Sequence, residues 1–513
     1  MRKKVKSILA SLLALFLLVN TGVVYGQENY RETLNIAITA QPPLLDAHAT
    51  VSNAAAGIAI HIFESLLTVD ENYQPTAQLA ESYEISEDAL TYTFKLREGI
   101  TFHNGEELTA EDAVASLNRW LTTSSKAKLL LEGAEFSQTG DYELVLTVKE
   151  ATSDVLELLA SPSQFAAITT KEIIDNVSEA GLDEYVGTGP YQFTEWRQDQ
   201  FIQLDKFADY QSLEGPASGF TGTKATGAQT LVFHFVTDHA TRIIGIQTGE
   251  YDVAESVPLE NYEEVANNQD LAVHMKQSGS LNLFLNTSDG ALLDQNMRQA
   301  VLAALNNEDI LQVSYSNPDL YELNPSFVNL ALPQWSVDAG KEYYNQNNPE
   351  KAAELLAEAN YNNQEIVLLT TPDYAEMYNA TLVVQEQLRQ AGFNPVVEAY
   401  DFATFLETKN DTSKWDLFIT SNGYGLNPTQ ASVVNPSWAG FDEPEVEAAI
   451  TAIRTADTQE AATQAWAELQ TYIYEFGAAT VLGHYNSLSV TRATVEGFDA
   501  FHYPVYWNAT MID

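Results

Sequence analysis

Residues Leu79–Gly105 read LAESYEISEDALTYTFKLREGITFHNG. From Leu90 the apolar positions alternate, so Leu90, Tyr92, Phe94 and Leu96 share one face, the pattern of a half-buried antiparallel strand. Tyr142, Leu144, Leu146 and Val148 repeat that pattern. Between the two, Thr109-x-x-Asp112 has the form of a capping box, and Ala113, Leu117, Trp120 and Leu121 fall on one face of the helix it would start. The segment from about 60 to 185 is therefore expected to be a unit of antiparallel strands and helices.

Upstream of it, Leu34, Ile36 and Ile38 open a short strand. Downstream the pattern changes. Asp294 caps a helix with Met297, Ala300, Val301, Ala304 and Leu305 on one face, and Asn348-Pro349 starts another. A strand at Ile366–Leu369, a helix to Ala391, a turn at Gly392 and a strand near Val396-Val397 follow. Then come a helix at Phe402–Leu406, the continuous apolar run Leu417-Phe418-Ile419, and helices at Glu445–Ile453 and Glu460–Phe476. Strands without alternation, separated by helices, predict an α/β lobe with a mostly parallel sheet covered on both faces.

The N-terminus carries Arg2, Lys3, Lys4 and Lys6, an apolar run Ile8–Val19, and Val24-Tyr25-Gly26. This is the layout of a secretory signal peptide, residues 1–26, cleaved before Gln27. The apolar run is shorter than the roughly 18 residues of a membrane span. The chain of 513 residues holds 25 Lys+Arg against 71 Asp+Glu, a net charge of −46. Such a surface cannot neutralise a row of phosphates, so nucleic acid is excluded as a partner. Because the acids are spread rather than clustered, the charge fits an exported surface kept soluble by repulsion. With no cysteine there is no disulfide, no thiolate metal site and no lipid-modified N-terminal Cys.

Motifs of catalysis are missing. There is no H-E-x-x-H, G-x-S-x-G or P-loop, and the spacing of His234 and His239 suits no metal pair. Gly187-Thr188-Gly189 runs into Pro190-Tyr191 where a phosphate loop needs a third glycine, and Asp289-Gly290 lacks the acidic ladder of an EF-hand. No cofactor and no metal site is expected, and a binding protein is favoured over an enzyme.

The stretch Leu79–Gly105, continued by Leu108-Thr109-Ala110-Glu111-Asp112-Ala113-Val114, resembles the signature of family-5 extracellular solute-binding proteins, the peptide- and nickel-type receptors of ABC importers. Gly187-Thr188-Gly189-Pro190-Tyr191, Arg242 to Asp252, Met297-Arg298-Gln299-Ala300 and Pro349 to Tyr361 match in family order. The resemblance implies a two-lobed, periplasmic-binding-protein-like fold of type II with its ligand cleft between the lobes. Lobe I would hold 27–279 and 484–513 with the inserted subdomain, and lobe II 280–483. The crossings near Gln277–Ser280 and His484–Ser487 would be the hinge.

In open parallel sheets ligands sit beyond the carboxyl ends of strands. That rule points to Ser421, Asn422, Gly423, Tyr424 and Asn427, where glycine admits close approach and Asn and Tyr can hydrogen-bond; the same residues also suit an ordinary turn. Ser52 and Asn53, within Thr50–Ala54, would form the opposing wall, and Trp438 either stacks on a ligand or packs in the core. Peptide-binding relatives carry an Asp after this strand that pairs with the ligand's amino group. Here Tyr424 stands near that place and no carboxylate occurs from Ser421 to Gln430. Either Asp401, Asp442 or Glu443 replaces it, or the ligand is not an ordinary free-amine peptide. The expected function is a monomeric periplasmic or extracellular receptor that captures oligopeptides or dipeptides for an ABC permease/ATPase complex. A receptor for a metal chelate or oligosaccharide is the alternative within the class, and a secreted hydrolase the alternative outside it.

Overall fold

A computed structural model describes residues 31–178, 180–456 and 458–512, so the expected signal segment 1–26 lies outside the described residues. One mixed sheet of eleven strands runs through the molecule. Its centre is two long strands, Leu271–Leu285 and Ala479–Arg492, paired antiparallel along most of their length. Leu271–Gln277 pairs with Asn486–Arg492 on one side of the molecule, and Gly279–Phe284 with Ala479–Tyr485 on the other, with a slip of register between Gln277 and Gly279. These two strands join the two lobes.

In the first lobe Thr33–Ile38 lies parallel to Thr230–Phe235 and to Val253–Val257, and Val253–Val257 pairs with the second long strand. In the second lobe Glu365–Thr370 lies parallel to Asn394–Ala399 and to Leu417-Phe418, while Leu417–Gly423 runs antiparallel to Leu271–Leu285. The expectation of a mostly parallel sheet thus covers three strands of this lobe. The long strands make the sheet mixed, because chain that leaves a lobe and chain that returns must run in opposite senses.

Residues Ala80–Ile85, Thr91–Leu96, Glu143–Thr147 and Glu135–Gly140 form a separate antiparallel sheet with Tyr92, Phe94, Leu96, Leu144 and Leu146 buried. Against it lies the helix Ala110–Thr123, which starts where the Asp112 carboxylate accepts from the Thr109 N–H at 3.1 Å and from its hydroxyl at 2.8 Å. The helix buries Ala113, Leu117, Trp120 and Leu121. Asp294 and Asn348 cap the helices Gln295–Ala304 and Pro349–Glu358.

Two of the sequence blocks meet where this unit joins the main sheet. The His103 ring accepts from the Gly187 N–H at Nδ1 (3.2 Å) and donates from Nε2 to the Gly189 carbonyl (3.0 Å). Burial pushes the His103 imidazole down to about 4, so it stays neutral. The glycines are required by contact rather than by a phosphate: a Cβ at Gly187 would lie 2.0 Å from the Ile62 carbonyl oxygen, and one at Gly189 would lie 2.6 Å from that of His61. Gly187→Ala should therefore destabilise the protein by about 2–4 kcal/mol, since backbone cannot step aside as a side chain can. Denaturant unfolding of the variant measures this, and a loss below about 1 kcal/mol would show that the joint yields. Beneath the joint, Glu64 and Lys224 form an ion pair of 2.9 Å that is almost wholly removed from solvent. Among the described residues no helix is long and apolar enough to cross a membrane.

Candidate functional site

The carboxyl ends of Thr33–Ile38 and Val253–Val257 point toward the second lobe, and between the lobes lies a cavity of about 530 Å³. The first lobe contributes Thr39, Asn53, Ala54, Lys126, Ser161, Ser163, Glu255 and the 500–504 segment; the second contributes Asn329, Gly423, Tyr424, Gly425 and Leu426. Lys276, Gln277, Ser278, Tyr485 and Ser487 of the long strands form part of its lining. The volume is that of a single small-molecule site, and the lining is rich in hydroxyls.

Glu255 reaches the cavity through a bulge: Val253 and Ala254 pair with Thr491 and Val490, then the register shifts before Val257 meets Leu488. Ser256 at the bulge has φ of 49°. Arg242 holds the bulge in place, donating to the carbonyls of Ser256 at 3.0 Å and Val236 at 2.7 Å. Bulges re-aim side chains beside sites in this way. Burial pushes the Glu255 carboxyl up to about 7, opposed by a hydrogen bond of 2.5 Å donated by the Tyr506 hydroxyl.

Two lysines lie on the same cavity, and the nearer to this acid is Lys276. Lys276 donates to the His502 carbonyl, and burial pushes its ammonium down to about 8 against the pull of Glu255. Lys126, on the short helix Ser125–Leu130, is half-buried at the cavity wall, and burial lowers its pKa also. His502 between them is held at about 3 by burial and by the charges of Lys276 and Lys126, and so remains neutral.

Of the residues singled out in the sequence, Asn53, Gly423 and Tyr424 line this cavity. A Cβ at Gly423 would meet nothing within 4 Å, so its face is open to the cavity. Tyr424 presents its ring but not a free hydroxyl: the hydroxyl donates to the Gly279 carbonyl at 2.7 Å and also contacts His484 Nδ1, tying the loop to both long strands. Ser52 caps the helix Asn53–Ile62, accepting from the Ala55 N–H. The Ser421 hydroxyl binds Glu376, and Asn422 accepts from Asn282 at 2.9 Å. Trp438 packs on Phe284 and Phe418 with the Lys409 ammonium 4.7 Å from its ring centre, which is core packing.

None of the three acids considered as replacements for the amine-binding Asp lines the cavity. Asp401 caps its own helix through Thr404, Asp442 is exposed, and Glu443 precedes the helix Pro444–Arg454. The acid that does line it, Glu255, stands at the carboxyl end of a first-lobe strand. The strand-end rule that selected Ser421–Asn427 applies equally to Asp252-Val253-Ala254-Glu255, and that was the signal available for it.

Asn427 lies at the rim of the second lobe, where its amide donates to Glu157 of the first lobe at 2.8 Å. Beside it the Ser153 N–H donates to the Arg454 carbonyl at 3.0 Å, and the Arg454 guanidinium stands 3.3 Å from the buried Asp154 carboxylate. The lobes are thus in contact at this rim as well as joined through the long strands.

The profile of the bacterial extracellular solute-binding proteins, family 5, matches residues 74–443. A curated relative named "Probable peptide ABC transporter periplasmic-binding protein y4tO", of Sinorhizobium fredii, is 26% identical over 497 residues, which is 91% of each chain. Among solved structures, the ABC transporter substrate binding protein CtaP of Listeria monocytogenes superposes with a TM-score of 0.82 at 17% identity over 94% of this chain and 100% of that one. NikA of Brucella suis in complex with Fe(III)-EDTA gives 0.80 at 20% identity over the same shares.

Proposed function

The chain belongs to the bacterial extracellular solute-binding proteins of family 5, and from that premise we propose that it captures a short peptide between its lobes and delivers it to the permease of an ABC importer. The observation that carries this reading is the cavity itself, walled by both lobes, with the Gly423–Leu426 backbone along one side as a partner for ligand backbone. Its volume of about 530 Å³ favours a dipeptide or a peptide a few residues long. The hydrolase alternative falls away, because the family consists of solute-binding proteins.

In this reading the signal is cleaved before Gln27 and the exported chain, lacking a lipid-anchor Cys, works as a monomer in the periplasm or outside the cell without nucleic acid. Lobe I comprises 27–279 and 484–513, and lobe II 280–483. The hinge lies at the crossings near Gln277–Ser280 and His484–Ser487, a reading that the register slip at Gln277/Gly279 supports, and closure presents the permease with one shape. Native mass spectrometry of the purified protein, with released ligand fragmented, tests the assignment. A ladder of short peptides supports it; a single non-peptide mass replaces the peptide by another solute and leaves the receptor role standing.

Closure should depend on pH through the rim. Glu157 is pushed up to about 7 by burial and by Asp154, with the Asn427 amide opposing. When the lobes part, Glu157 returns to water and to its ordinary value of 4.5. Closing then takes up a proton between these values: the penalty of burying the carboxylate is full above pH 7 and relieved as pH falls toward 4.5. Ligand affinity is expected to rise over that window, by at most about tenfold per pH unit. Titration calorimetry of wild type and Glu157→Gln checks it, and equal slopes in the two proteins would remove Glu157 from the closing equilibrium.

A further inference from the structure

The cavity gathers positive charge in a chain that has little of it. Only 25 Lys and Arg face 71 Asp and Glu, and several lysines pair with a carboxylate: Lys95 with Glu81, Lys171 with Asp175, Lys224 with Glu64, Lys341 with Asp338, Lys414 with Asp411. Lys126 does not. Among the described residues it has neither an ion-pair nor a hydrogen-bond partner, although it is half-buried in the cavity wall. Lys276, on the same cavity, donates to a backbone carbonyl rather than to a carboxylate. Among the described residues Glu255 is the one acid lining the cavity; it can offset one of the two ammonium groups and leaves the other without a counter-charge. A half-buried ammonium without a partner is costly, and in so acidic a chain a carboxylate could have been supplied readily.

Resting on the receptor reading above, we propose that the ligand is a net-negative short peptide whose extra carboxylate is held by Lys126 and Lys276, with Glu255 taking its ammonium group. The hydroxyls of Ser161, Ser163, Ser278 and Ser487 line the same cavity and make its wall polar, with Ser161 donating to the Ser163 carbonyl and Ser278 bonded to Ser487. The geometry also explains why the Ser421–Gln430 loop needs no acid: the amine partner has moved to the opposite lobe, on the bulge that Arg242 holds.

The test uses the full chain, freed of endogenous ligand by a denaturant wash and refolding, and calorimetric titration with three tripeptides: Ala-Glu-Ala, Ala-Ala-Ala and Ala-Lys-Ala. Ala-Glu-Ala is expected to bind at least about tenfold more tightly than Ala-Ala-Ala, and Ala-Lys-Ala most weakly. Lys126→Gln and Lys276→Gln should each bring the ratio for the first two close to one. A structural role alone would weaken all three peptides together and leave the ratio unchanged. Preference for the neutral or cationic peptide, or a ratio unmoved by both substitutions, overturns the inference. Citrate separates the two readings: if it binds, loses affinity in Lys126→Gln, and no peptide binds, the anion site stands and the peptide reading fails. Binding of neither peptides nor citrate overturns the anion site, while the released-ligand spectrum still decides the receptor role.

Discussion

Replacing Lys224 with Met lowers the free energy of unfolding by about 3–5 kcal/mol, the range for breaking a buried ion pair from one side. The side chains of Lys224 and Glu64 are 2% and 3% exposed, and their ion pair spans 2.9 Å. Glu64 also accepts from the Tyr210 hydroxyl at 2.9 Å, the Gln78 amide at 3.2 Å and the Thr188 hydroxyl at 3.1 Å, so its carboxylate is fully engaged. The Lys224 ammonium lies 4.7 Å from the ring centre of Trp507 as well. Methionine keeps the volume but removes the charge, leaving a carboxylate in a site that water cannot reach. The double variant Glu64→Gln with Lys224→Met removes both charges together and should recover most of the loss. Guanidinium unfolding of the four proteins measures the cycle. A single-variant loss below about 1 kcal/mol, or no recovery in the double variant, would mean that this pair does not hold the inserted unit to the main sheet.

That network shows what the sequence could and could not tell. Local signals were legible: Thr109 with Asp112, Asp294 and Asn348 start helices because a short polar side chain before an apolar stripe has a local partner in its own first turn. The strand Leu417–Gly423 was legible because its first half, Leu417-Phe418-Ile419, is buried on both faces and reads as an apolar run. The long strands were not read as strands. Leu271–Leu285 passes the cavity at Lys276, Gln277 and Ser278, so its middle is polar and its alternation breaks where the molecule meets its ligand space.

The quoted motifs carry a second lesson. The half-buried His103 and the buried 187–189 glycines, Arg242 and Arg298 are joints of the frame: Arg298, for example, donates to the carbonyls of Phe476, Leu292 and Leu293. Resemblance in such residues specifies the frame rather than the ligand. The groups on which the ligand proposal rests, Lys126 and Glu255, lie outside the quoted motif cores. Lys126 comes to the cavity only because the inserted unit folds back over it, a relation between residues distant in sequence that no local pattern encodes. Trp438 illustrates the converse: of its two readings the core packing holds, but its partners Phe284 and Phe418 are distant in sequence and no local pattern names them.

The contrast between two glycines gives a direct test of where ligand sits. At Gly279 a Cβ would lie 2.3 Å from the Asn422 carbonyl oxygen, so substitution there confounds binding with folding. At Gly423 a Cβ would meet nothing within 4 Å, and the residue lies at the end of a strand where its backbone suits any side chain. Gly423→Trp is accordingly expected to leave the melting temperature of the ligand-free protein within about 2 °C, because it enters open space rather than packed core. The indole, with a surface of about 150–250 Å², would fill the part of the cavity beside Tyr424 and Leu426. Affinity for the co-purifying ligand should fall at least about 100-fold, or ~2.8 kcal/mol, while Gly423→Ala should change it by less than about threefold. Calorimetric titration and a ligand-free thermal melt decide it together. Undiminished affinity in Gly423→Trp would place the ligand elsewhere, and a melt lowered by many degrees would mean that the open face of Gly423 closes in solution.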